Sequence, residues 1–142
     1  MKKFILFLLL ILPCLSNAQE VYHIKFISNN VHHSVGFIWF DDNTGKMRVR
    51  YTNTTGEHLV EMDVLVKEIA DGFVFFGSNA IDTATNQKAN YYPDNFYVML
   101  EDSDFVCINK DDGGSSTNCC IMEVAGETNQ TIFLEEFNWK FD

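Results

Sequence analysis

Four histidines, His23, His32, His33 and His58, are the first candidates for catalysis or metal binding in this 142-residue chain. Imidazole binds transition metals well, so His23 with one of the His32-His33 pair is the conceivable metal site. Neighbouring residues of an extended segment point to opposite faces, so His32 and His33 cannot both reach one ion with good geometry. The expectation is solvent-exposed loop histidines, with no metal and no cofactor.

Nucleophilic chemistry has no local signature: Gly-x-Ser-x-Gly, Ser-x-x-Lys and His-Glu-x-x-His are all missing from the sequence. No catalytic residue is assigned. The carboxylate pairs Asp41-Asp42 and Asp111-Asp112 fall in turn sequences, where Asp serves local hydrogen bonds. Glu135-Glu136 is the third pair. The oxygen-rich run Asp41-Asp42-Asn43-Thr44-Gly45 lacks the distal Glu of an EF-hand loop.

Most aromatic residues belong to alternating segments and are expected in the core. Tyr91 and Tyr92 differ, because they stand in a long polar stretch just ahead of Pro93. With Asp94 and Asn95 they form the candidate ligand or partner contact.

Cys107, Cys119 and Cys120 follow the leader. A tight turn about Gly113-Gly114 sets Cys107 opposite Cys120, whereas a change of one residue in the turn selects Cys119. In an oxidising compartment either pairing predicts a cross-strand disulfide worth about 3 kcal/mol. The leftover thiol is expected to be buried as a small hydrophobe. Adjacent cysteines fit neither zinc-finger nor thioredoxin spacing.

The elements that must position these residues read as strands. In 46–52, Met47, Val49 and Tyr51 alternate with Lys46, Arg48 and Arg50. In 59–67, Val60, Met62, Val64 and Val66 share one face, and β-branched residues in line favour a strand over a helix. Runs 35–40 and 73–76 are apolar on both faces, as strands covered on two sides are. Turn sequences separate such runs, giving eight or nine strands near 21–28, 35–41, 46–52, 58–69, 72–78, 95–101, 104–110, 118–125 and 131–139. The longest connection, 79–94, is long for a hairpin and suits a helical turn or a functional loop. The fold class is all-β, an antiparallel meander closed into a barrel-like form, with a β-sandwich as the alternative.

At the N-terminus, Lys2-Lys3, the apolar run Phe4–Leu12 and Ser16-Asn17-Ala18 have the build of a secretory signal peptide. The expected organisation is a signal over 1–18 and a single all-β domain over 19–142. The segment resembles the signals of Gram-negative exported proteins. The run ending in Cys14 also resembles the lipobox of bacterial lipoproteins, which would tether the domain by acyl chains; Pro13 stands where that motif takes Gly, Ala or Ser. The expected location is therefore periplasmic or secreted, with lipid anchoring the lesser alternative and no transmembrane segment in the mature chain.

Lys plus Arg number 10 against 20 Asp plus Glu, and losing Lys2 and Lys3 leaves a formal charge of −12 (8 − 20). That surface repels phosphate backbones and anionic membranes, so nucleic acid is not an expected partner. The function expected is a non-enzymatic binding or interaction module of the bacterial cell envelope or extracellular space, its partner a protein or small molecule. The alternatives are an inhibitor of a cationic protein and a small hydrolase or isomerase with a non-local site.

Overall fold

A computed structural model describes residues 19–140. The expected signal peptide, with Cys14, lies outside the described residues. Among the described residues, nine strands run in chain order: β1 (Glu20–Ser28), β2 (Val31–Trp39), β3 (Thr44–Asn53), β4 (Gly56–Ile69), β5 (Gly72–Asp82), β6 (Gln87–Lys88), β7 (Asn95–Glu101), β8 (Asp104–Lys110) and β9 (Ser116–Glu123), followed by one helix, α1 (Glu127–Glu135).

All the ladders are antiparallel. Neighbours follow the order β4-β3-β2-β1-β9-β8-β7-β5-β6, and β4 also pairs with β5. That last pairing closes eight strands into a barrel and leaves β6 as a short flap on β5, so the barrel and not the sandwich is the architecture. Closure removes the sheet edges that an open meander would expose.

Strand alternation sends one residue set inward. Ile24, Val35, Phe37, Met47, Val49, Val60, Met62, Phe75 and Phe96 are buried in one continuous core. Phe37 and Phe75 meet at 4.6 Å between ring centroids, and Trp39 meets Phe73 edge-on at 4.9 Å. The barrel is therefore filled by its own side chains.

The stretch 131–139, expected as a ninth strand, is instead the second half of α1 and the turn after it. β4–β5 and β1–β9 pairing already occupies every barrel strand on both sides, so no edge remains for it. Leu134 of α1 is buried on the outside of the barrel against Val21 and Ile38, and Phe137, in the turn after the helix, is buried as well. Gly36 on β2 makes room: a Cβ there would come within 2.9 Å of the Phe137 ring. Arg48 pins the tail by donating to the Phe137 carbonyl at 3.0 Å, with its guanidinium 4.8 Å above the Trp139 ring.

Among the described residues, no helix is long and apolar enough to cross a membrane.

Candidate functional site

The outward faces of β9, β1, β2 and β3, alongside α1 and towards the β1–β2 turn, form most of an open groove of about 850 Å³, which also reaches Phe26, His33, Tyr51 and Cys119. Register fixes its floor. Lys25 stands opposite Cys120 on one side and Ser34 on the other, and Ser34 stands opposite Arg50. Four outward side chains thus lie in one row across four strands: Cys120, Lys25, Ser34 and Arg50. His32 and Ile27 form the next pair along the barrel.

His23 sits beside this row and its Nε2 lies 2.8 Å from Ser34 Oγ. The ring is wedged against Phe133 of α1 at 4.9 Å, and burial, with help from the Lys25 charge, holds its pKa below the ordinary imidazole range. Burial thus favours the neutral imidazole, and the ring tautomer decides whether Nε2 donates to Ser34 Oγ or accepts from it. Glu136 pushes the imidazole pKa the other way, but no ion pair joins them among the described residues. The pair can polarise a bound polar group.

Arg50 is held from beneath by the Phe137 ring at 5.3 Å. Its Nε lies 3.1 Å from Glu57 Oε1 but out of line for a hydrogen bond, so this buried donor is unsatisfied.

The residues expected to contact a ligand do not act as one surface. Tyr91 turns inward, stacks on Tyr51 at 5.4 Å and donates a 2.6 Å hydrogen bond to Asp94 Oδ2. Asp94 is only 2% exposed and also accepts a 2.8 Å bond from Asn109 Nδ2. Burial pushes its carboxyl up to about 7, helped by Asp111 and Asp112, while the two donors favour the charged form. Tyr92 turns outward, 66% exposed, its ring against Gly113. Asn95 donates from Nδ2 to the Lys110 carbonyl and to Asp112 Oδ1. Tyr91 and Asp94, carried by the connection from β6 to β7, meet Asn109 of β8 at one end of the barrel.

The histidines also differ from the expectation, since all four lie on strands. His32 faces outward and His33 inward, as alternation requires. His33 is buried between Phe26 at 4.5 Å and Tyr51 at 5.0 Å, with its Nδ1 2.9 Å from the Val31 carbonyl. His58 bonds to Thr55 and Asn53 at the β3–β4 turn. Among the described residues, no three His, Cys, Asp or Glu side chains converge to hold a metal.

The disulfide joins Cys107 to Cys119, not Cys120. The β8–β9 loop has five residues centred on Gly113, closed by Asp111 N–H to the Ser115 carbonyl at 3.0 Å and Ser115 N–H to Asp111 Oδ1 at 2.9 Å. An odd loop shifts the register by one from a turn centred between the two glycines. Cys120 consequently faces outward as an exposed thiol, not a buried one.

Sequence reasoning missed Ser34, Lys25 and Arg50 as a group. Their meeting depends on the β1–β2 and β2–β3 registers, and its signal was the Asn29-Asn30 turn that sets the first of these. Comparison with protein-family models, curated proteins and solved structures found no match for this chain.

Proposed function

We propose that this protein is an exported, non-enzymatic binding module that recognises its ligand on the outer face of the barrel, in the groove around Ser34. One observation carries the reading: the barrel interior is filled by Phe37, Phe75 and Phe96, while polar side chains converge outside it. Lipocalin-like barrels keep ligand space inside; this one has spent that space on packing.

Support for the non-enzymatic part comes from the setting of Ser34. β2 is paired on both sides, so its backbone N–H groups are committed to ladders and none is aimed above Ser34 Oγ as an oxyanion-stabilising pair. Support for export comes from the Cys107–Cys119 disulfide, a bond that persists in oxidising compartments. Thermal shift of the full chain against a panel of sugars, amino acids and short acids tests the reading. A ligand held at 100 times its Kd adds about 2.7 kcal/mol, a rise of several degrees. No rise with any member of the panel, alongside unchanged groove amide signals, contradicts it.

A second reading, capture of a cationic protein, is favoured by the β7–β8 hairpin tip. Leu100 and Phe105 face each other there at 48% and 66% exposure, beside Glu101, Asp102 and Asp104. An apolar pair ringed by acids suits a basic surface. Binding to a basic protein that weakens steeply with salt and is lost in Phe105→Ala supports it; binding unaffected by that change speaks against it.

A further inference from the structure

We propose that the groove binds one compact oxyanion, a phosphate or carboxylate group, over Ser34 between Lys25 and Arg50. The inference rests on the groove being the recognition surface and adds the chemistry of its ligand. The chain carries a net charge of −10, yet the only formally charged residues lining the groove are Lys25 and Arg50, both cationic. Ladder spacing puts adjacent strands about 4.8 Å apart, so the two cationic residues bracket Ser34 from either side at roughly 10 Å between backbones. Long side chains from both can meet a group seated on the hydroxyl.

The other basic residues of β3 are ion-paired. Lys46 pairs with Asp63, and Arg48 with Glu61 at 3.0 Å. Lys25 has no ion pair among the described residues, and the Glu57 contact of Arg50 lacks hydrogen-bond alignment. Lys25 therefore faces the groove unpaired, and Arg50, its charge partly offset by Glu57, brings a guanidinium with no hydrogen bond among the described residues. His23 completes the cradle: when its Nε2–H donates to Ser34 Oγ, the hydroxyl proton is free to point at the anion. Charge-assisted hydrogen bonds of this kind are about twice as strong as neutral ones. The field of the surrounding acids repels a polyanion or an anionic membrane, whereas one compact anion meets mainly the local cations.

Amide NMR of the chain from residue 19, titrated with inorganic phosphate and separately with acetate at constant ionic strength, tests this. Saturable shifts of the Lys25, Ser34 and Arg50 signals are expected. Lys25→Ala, an exposed position whose loss leaves the core intact, should weaken binding about tenfold, and Ser34→Ala should weaken it several-fold. Lys88→Ala, an exposed position on the β6 flap against β5, across the barrel from β1, should leave it unchanged. Non-saturating shifts, or equal affinity in Lys25→Ala, overturn the proposal. If both anions fail while neutral sugars move the same amides, the oxyanion inference falls and the binding module stands; if no probe of any charge moves them, both fall.

Discussion

Tyr91 and Asp94 are joined by a 2.6 Å hydrogen bond at one end of the barrel, where the hydroxyl donates to a carboxyl that water barely reaches. The bond ties the long β5–β7 connection to β8 through Asn109 and stacks Tyr91 over Tyr51. Two neighbouring strands, one flap and one aromatic column thus depend on an acid with no cationic partner among the described residues.

Asp94 should make the protein less stable as pH rises. Its folded pKa, about 7, lies above the ordinary 3.8. The contribution is therefore full below about pH 4 and is lost as pH rises through 7, by on the order of 4 kcal/mol. Urea unfolding of wild type and Asp94→Asn between pH 4 and 8 checks this: the difference between them should follow that window. A pH-independent difference refutes the assignment.

His33 should act in the opposite direction. Burial lowers its folded pKa below 6.5, so its contribution is full above that value and is lost as pH falls through the folded pKa. Replacing it by Phe, which keeps the stack between Phe26 and Tyr51, should flatten the acid limb of the Tm-against-pH curve. An acid limb as steep as in wild type would show that His33 is not its source.

Reducing the Cys107–Cys119 bridge, whose partners are 12 residues apart, should cost about 3 kcal/mol of stability. Alkylation of the native, unreduced chain from residue 19 followed by peptide mass mapping should label Cys120 alone. Label on Cys119, with Cys120 bridged, would mean that the β8–β9 loop turns in the other register.

Phe137→Ala should release the C-terminal tail from β2. Truncating a buried aromatic costs about 3–5 kcal/mol, and Trp139, stacked on Arg48, should shift its fluorescence towards that of a solvated indole. Gly36→Val should do the same by occupying the ring's place. Unchanged Trp139 emission in both variants would separate the tail from the barrel.

Much of the fold was legible because period-two alternation states which face is buried, as in Lys46–Thr52 and Leu59–Lys67. The start of β2 was less so, because it depends on Asn29-Asn30: both residues adopt positive φ, 51° and 62°, and form the tight two-residue turn that brings His32 and His33 onto a strand. The last element misled because Ile132, Leu134 and Phe137 suit a strand or a helix about equally, and only barrel closure decides between them. At the site, Tyr91 and Tyr92 look alike as neighbours in a polar loop, and the backbone sends one in and one out. Ser34 carried no signal alone; its surroundings come from three other strands.

The most direct test of an outward-facing recognition surface is amide and methyl NMR of the chain from residue 19, titrated with one polar probe, glucose, and one amphipathic probe, octanoate. Outer-face recognition predicts that whichever probe binds shifts His23, Lys25, Ser34 and Arg50 and leaves the signals of Val35, Val49, Val60 and Met62 inside the barrel in place. Saturable shifts of those interior methyls, with the groove silent, would mean that the barrel opens to hold its ligand and would contradict the account.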